Sequence, residues 1–378
     1  MHIHGNMDAS NLVVGAGISG AVIANLIASE RDENVLVIDK RAHIAGNCYD
    51  SRDGNGIMIH EYGSHIFHTN DEGVWNFVKK FADLNTYMHK VVAVVDGIET
   101  TIPFNFNSIH DVFPVLLAVR IEEKLLSRFK YNTKIPIMEF MNQDDADLKF
   151  LAEYIYEKVF LHYTEKQWGL SPKEIDGAVT ARVPVYISKD NRYFQDKYQG
   201  IPIGGYTKMI EKMLDHPRIK VDLNKKFEDV KDIKKYSRIF YTGPIDELMG
   251  YKHGQLPYRS VNFKMETHDV EYYQSNAVVN YPNNYDFTRI HEYKYYLKDR
   301  SSKTVIAKEY SEPFELGRND RYYPIPGAEN EKLYKKYLKA AKEKFDNMLF
   351  LGRLGDYKYY DIDKAVLRAM QVFKEAFE

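Results

Sequence analysis

The chain has 378 residues, 44% of them apolar, enough to fill the cores of two or three domains of a globular protein. A formal net charge of -2 excludes a general nucleic-acid binder, although local basic residues remain available for a diphosphate. No apolar run reaches the length of a membrane span, and the single cysteine, Cys48, permits no internal disulfide, so a reducing cytoplasm is the expected setting. Met1-His2-Ile3-His4-Gly5-Asn6 lacks the apolar core of a signal peptide and reads as an added leader, with Met7 the natural start. Tyrosine is unusually frequent at 30 residues, against two tryptophans. Most of these side chains suit packing, but those near glycine, arginine and aspartate suit a pocket that holds a base and polar sugar groups together.

The first elements in the chain are the most explicit. Leu12-Val13-Val14 reads as a strand, Gly15-Ala16-Gly17-Ile18-Ser19-Gly20 as a glycine turn, and Ala21 to Ile27 as a helix. Gly15 would permit the tight turn, Gly17 would let backbone approach a pyrophosphate, and Gly20 would let helix and strand pack closely. A second apolar strand, Val35 to Ile38, ends at Asp39, 19 residues after Gly20, where a ribose hydroxyl pair needs an acceptor. These features specify a dinucleotide and leave NAD and FAD both open.

Farther along, apolar Val74, Phe77, Val78 and Phe81 suit a helix face, and Lys90 to Val95, Asp96-Gly97 and Ile98 to Phe104 spell a hairpin. Residues 107–178 carry helical spacing through Val112-Phe113-Val115-Leu116-Leu117 and through Leu148 to Phe160, which predicts a small helical subdomain. Tyr206 to Leu214 reads as a helix, and Ile219 to Leu223 as a strand. Ser237 to Gly243 reads as a strand at the edge of the cradle. Alternating segments between 258 and 310 predict an antiparallel sheet. Finally, Leu349 to Leu354 and the amphipathic Ile362 to Phe377 return a strand and helix to the cradle, so the nucleotide-binding core is discontinuous.

Within Ile59 to His68, His60, His65 and His68 lie among apolar residues without carboxylates at ligand spacing, a polar pocket wall rather than a metal site. The segments Gly63-Ser64-His65-Ile66-Phe67-His68-Thr69, Tyr163-Thr164-Glu165-Lys166-Gln167-Trp168-Gly169, Gln199 to Tyr206, Tyr241 to Asp246 and Gly352 to Asp361 resemble, in order, those of bacterial UDP-galactopyranose mutases. The likeness runs from about residue 11 to the C-terminus.

That resemblance implies an α/β fold. A discontinuous FAD-binding Rossmann-like domain would cover 9–88, 200–256 and 335–378. A helical subdomain with a mobile loop would cover 107–178, and an antiparallel β-sheet domain 89–106, 179–199 and 257–334. It implies an isomerase that interconverts UDP-galactopyranose and UDP-galactofuranose with no net redox change and supplies galactofuranose to glycans. In such an enzyme N5 of reduced FAD attacks the anomeric carbon, UDP leaves, and the sugar ring opens through a flavin iminium and recloses. Gly15, Gly17, Gly20, Asp39, Asn47 and Arg353 match residues around FAD. Arg182 and Arg289 match the two arginines that clamp the diphosphate, as planar guanidiniums can. Tyr163 matches the uracil-stacking aromatic, and Trp168 lies on the loop that closes over the sugar. Tyr193, Tyr323 and Tyr359 match hydrogen-bonding tyrosines of the diphosphate region, Asp361 lies at the pocket end beside the flavin, and His65 and His68 flank its ring and the sugar. A homodimer and reduction by NADPH or NADH are expected, with no metal.

The chain departs from the family at Ala45, where many relatives have glycine, at Ser64, where others have Pro or Ala, and at His89, where relatives often have asparagine. Histidine at position 68, where relatives that accept the N-acetylated sugar carry arginine, favours plain UDP-galactose. Two alternatives share the cradle: an amine-oxidase-like FAD oxidoreductase and a GDP-dissociation-inhibitor-like binding protein. The arginine pair, Tyr163, Trp168 and Tyr359 argue against both.

Overall fold

The computed structural model describes residues 8–171 and 184–378. Five parallel strands form the cradle sheet in the order Ile219–Asp222, Val35–Ile38, Asn11–Val14, Arg238–Tyr241 and Met348–Phe350. Arg238–Tyr241 pairs directly with the first strand of the chain, so it lies inside the sheet, and Met348–Phe350 takes the edge instead. The helix Ile18–Glu30 is buried from Ser19 through Ala28, as an element must be when apolar residues surround its whole circumference. It packs against the helices Ile362–Phe377 and Tyr206–Leu214, which bring distant parts of the chain onto it.

The second sheet has seven strands, in the order Tyr323–Pro324, Tyr258–His268, Thr304–Pro313, Arg289–Glu292, Val278–Asn280, Val91–Val95 and Ile98–Ile102. The sheet is mixed rather than purely antiparallel, because Val278–Asn280 runs parallel to Val91–Val95. The Asp96-Gly97 turn closes the expected hairpin with both residues at positive φ, the combination a type I′ hairpin turn requires. No strand from the described part of 179–199 enters this sheet. Pro184–Tyr186 pairs with Lys134–Pro136 in the helical region, and Tyr198–Gly200 pairs with Phe67–Thr69 beside the cradle.

The helical region departs from the sequence pattern at two places. The run around Phe113 is split into Phe106–Val112 and Val115–Arg128, because Pro114 drives the residue before it out of the helical region, to φ -115° and ψ 150°. Val115 and Leu116 consequently sit on the surface, 70% and 85% exposed. Between the helices Ala146–Ile155 and His162–Trp168 the chain makes a π-helical turn, Tyr156–Leu161. Such a widened turn rotates the second helix relative to the first, and here it aims Val159, Phe160 and Tyr163 at one cavity.

Candidate functional site

The cradle is built from backbone. Gly15 leaves the first strand at φ +108°, and a Cβ there would lie 2.0 Å from Oγ1 of Thr242. A Cβ on Gly20 would lie 1.8 Å from the carbonyl oxygen of Gly15, so helix and strand touch through this glycine. Gly17 is different: its Cβ would meet nothing closer than 3.6 Å. The protein's own packing therefore leaves open a space beside the N-terminus of Ile18–Glu30, where amides lack intrahelical partners and suit an anionic group. The Asp39 carboxylate accepts from the Ala16 and Arg41 amides, both at 2.8 Å, which aims it across the turn. Asn47 is steadied by Arg41, whose Nη1 donates to its Oδ1 at 2.9 Å. Ala45 adopts φ +72° while donating its amide to the Ala16 carbonyl, a left-handed conformation that favours glycine. These residues line a cleft of about 670 Å³, and the open Gly17, the aimed Asp39 and the free helix amides fit the diphosphate and ribose of FAD.

A second cavity of about 290 Å³ adjoins the first, and Asn47, His65, Arg353 and Asp361 line both. Arg289 Nε donates to Glu309 at 2.8 Å across neighbouring strands, where the two residues are register partners. The Glu309 side chain is only 2% exposed and that of Arg289 24%, so the carboxylate sits behind the guanidinium. Burial alone would raise Glu309, yet Arg289 and His291 hold it at about 2. His291 Nε2 lies 2.8 Å from the same carboxylate, and its Nδ1 lies 2.6 Å from the Ser64 hydroxyl, to which the Tyr296 phenol donates. Burial lowers the pKa of His291, and one arrangement satisfies all three bonds: Nε2–H donates to Glu309 and Nδ1 accepts from Ser64.

The histidines divide by partner. Burial first, then the Arg353 charge, lowers His65 to about 3, and its Nδ1 faces the Gly63 carbonyl at 2.7 Å. His65 is thus neutral with its proton on Nδ1, leaving Nε2 an acceptor. His68 Nδ1 pairs with Asp196 at 2.8 Å, and its Nε2 lies 3.9 Å from Asp361. Phe194 stacks on the His68 ring, with centroids 3.6 Å apart. His89 is buried, lowered to about 3 chiefly by desolvation, and within 3.0 Å of the Tyr87 hydroxyl. His60 lies behind this wall, its Nδ1 accepting from the His65 amide, and is likewise lowered to about 3 by burial. Among the described residues no group of three His, Cys, Asp or Glu could hold a metal ion.

Of the residues singled out in the sequence, Tyr163, Tyr193, Arg289, Tyr323, Tyr359 and Asp361 share the second cavity with His65, His68 and Arg353. Burial raises the phenols of Tyr163 and Tyr323, so both stay protonated. Arg353 lies 4.7 Å from the centre of the Tyr359 ring, and its Nε donates to the Tyr360 carbonyl. Trp168 ends the helix His162–Trp168 rather than lying in a loop, and its ring is 6.2 Å from Tyr323. Arg182, and with it most of the expected mobile loop, falls outside the described residues. Glu309, His291, Asp196 and Phe194 have no motif to announce them. The one available signal is Glu309 within an alternating strand, able to meet Arg289 once the register is known.

Residues 158–359 match the UDP-galactopyranose mutase family, and 13–81 match an NAD(P)-binding Rossmann-like domain. A protein named "Probable UDP-galactopyranose mutase" from Klebsiella pneumoniae is 38% identical over 96% of this chain and 94% of its own. A dTDP-fucopyranose mutase from Escherichia coli is 36% identical over 95% of this chain and 96% of its own. Among solved structures, reduced UDP-galactopyranose mutase superposes with a TM-score of 0.71 at 15% identity, covering 98% of this chain and 94% of that one, a likeness of fold. With relatives matching along nearly its whole length and a cradle whose open glycine fits a flavin dinucleotide, the chain belongs to the UDP-galactopyranose mutase family, isomerases that use FAD.

Proposed function

We propose that the protein interconverts UDP-galactopyranose and UDP-galactofuranose, with the flavin in the cradle and the sugar nucleotide in the second cavity. The observation that carries this reading is Arg289: a guanidinium backed by a buried carboxylate, in a cavity rimmed by protonated phenols that opens onto the cradle. When bound and reduced, FAD supplies a nucleophile for the anomeric carbon without net oxidation of the sugar. Gly15, Gly17, Gly20, Asp39, Asn47 and Arg353 hold it.

The chain's own groups do the rest. Arg289, with Arg182 as the second clamp, grips the diphosphate and stabilises the charge that UDP gains as it departs. Tyr193, Tyr323 and Tyr359 donate hydroxyls to the same oxygens, and Tyr163 offers its face to uracil, with Trp168 alongside. His65 presents a neutral acceptor and His68 an imidazole fixed by Asp196, so both orient hydroxyls of the sugar, with Asp361 at the flavin end. The protein would act as a cytoplasmic homodimer, reduced by NADH or NADPH, and supply galactofuranose for glycans.

The test is to incubate dithionite-reduced, FAD-loaded protein with UDP-galactofuranose and follow UDP-galactopyranose by chromatography. Conversion by the reduced protein alone is expected; no conversion, or equal conversion by the oxidised protein, would sink the reading. The dTDP-fucopyranose mutase relative favours a second substrate, a thymidine diphosphate 6-deoxysugar, and the same assay run with dTDP-fucofuranose decides between them.

A further inference from the structure

The helix His162–Trp168 and the segment from Tyr281 to Phe287 are far apart in the chain and are bridged by the side chain of Lys166. The Lys166 ammonium donates to three backbone carbonyls of that segment, those of Tyr281, Tyr285 at 3.1 Å and Phe287 at 3.0 Å. Burial lowers this lysine to about 8, with Asp286 partly offsetting it. The segment it holds starts after the strand Val278–Asn280 and ends at the strand Arg289–Glu292, so it delivers Arg289 to the second cavity. A second tie runs the same way: Asn283 Nδ2 donates to the Lys158 carbonyl in the π-helical turn at 2.6 Å. The helix end is anchored from its other side. Arg259 donates to the Gln167 carbonyl at 2.9 Å and the Lys166 carbonyl at 3.1 Å, and Ser311 to Gln167 at 2.7 Å.

We infer that Lys166 is a positioning residue for nucleotide binding: it locks the helix carrying Tyr163 to the segment carrying Arg289, so that aromatic face and guanidinium form one preset site. The inference rests on the reading that the second cavity takes UDP. Neither Tyr163 nor Arg289 touches Lys166 through a hydrogen bond in the described structure; the lysine acts on their spacing. A three-donor ammonium suits the task, because carbonyls pointing inward from one bend need several donors at a single point.

Lys294 provides an internal control. It too donates to three carbonyls, those of Glu271, Ser301 and Lys303, and it lines neither cavity. The experiment measures UDP binding to the FAD-loaded full-length protein by calorimetry, alongside KM and kcat, for the unmutated protein, Lys166→Met and Lys294→Met. Losing the tie in Lys166→Met should weaken UDP binding and raise KM by about tenfold while leaving kcat within about threefold. Lys294→Met should leave the UDP dissociation constant unchanged. Unaltered UDP binding in Lys166→Met, or equal weakening in both variants, overturns the inference. Absence of UDP binding by the unmutated protein overturns the reading beneath it. Where Lys166→Met fails to fold, Asn283→Ala cuts the second tie of the same segment and should weaken UDP binding about threefold; no change there overturns the inference as well.

Discussion

The two adjoining cavities are made of different material. The cradle is shaped by main chain: a turn at Gly15, a contact at Gly20, an opening at Gly17, and amides that aim Asp39. The second cavity is shaped by side chains drawn from the seven-stranded sheet, the helical region and the 63–69 segment, and its charges are set by neighbours, above all Glu309 behind Arg289. Backbone sites fail when a single atom is added, whereas side-chain sites fail when a charge loses its partner. The first should break by steric change and the second by pH or by neutralisation.

Acid gives the largest expected effect. His60 and His89 are neutral and buried, with pKa values of about 3 against 6.5 for the free side chain. The unfolded chain therefore binds more protons between pH 3 and 6.5, and stability present above pH 6.5 is lost as pH falls through that window. By pH 5 the loss is about 2 kcal/mol for each histidine, as urea midpoints at pH 7 and pH 5 would show; equal midpoints would break the comparison. Next, Glu309→Ala leaves Arg289 and His291 without their carboxylate and should cost about 3 kcal/mol of stability, with most of the turnover. A variant that keeps both would show that Arg289 needs no backing charge.

In the cradle, Gly20→Ala forces a Cβ onto a backbone oxygen and should cost about 2 kcal/mol in chemical denaturation. Gly17→Ala has room in the fold, so the flavin-free protein should hold its melting temperature while the bound FAD, read from its visible absorbance, falls. If Gly17→Ala keeps its full flavin content, the opening at Gly17 is not where the diphosphate lies. The smallest effect is expected from Ser64→Ala, about 1 kcal/mol, because it removes the hydroxyl that bridges the Tyr296 phenol to His291 Nδ1 while Glu309 still accepts from Nε2–H. Nitrogen chemical shifts of His291 report the outcome directly: the proton should stay on Nε2 while the Nδ1 shift moves as its donor is lost, and an unmoved Nδ1 shift would remove Ser64 from the chain of contacts that ends at Arg289.

The same contrast explains what can be read from the amino-acid sequence. Gly15, Gly17, Gly20 and Asp39 are legible because their spacing is local, with each residue's task set by the turn it occupies. The strand Arg238–Tyr241 is recognisable as a strand, but its place inside the sheet depends on pairing with residues more than 200 positions away, which no local pattern encodes. Glu309 and His291 sit in alternating strands that look like any others until the register places Glu309 opposite Arg289. The π-helical turn at Tyr156–Leu161 is hidden for a different reason, since apolar spacing cannot separate a widened turn from an ordinary one over so short a span. Resemblance to a family points to Tyr163, Tyr193, Arg289, Tyr323 and Tyr359, which the fold gathers at the second cavity; only the fold gives the partners that tune them.

The order in which the cradle sheet uses the chain has a bearing on how the protein comes into being. Its first strand is complete by Val14, but the edge strand Met348–Phe350, the wall at Gly352 and Arg353, and the covering helix Ile362–Phe377 leave the ribosome long afterwards. A nascent chain displays the glycine fingerprint well before the rest of the cleft around it exists. The last of the cleft lining to be made is Ile362 and Ala365 on the helix Ile362–Phe377, so a growing chain completes the cleft only near its end.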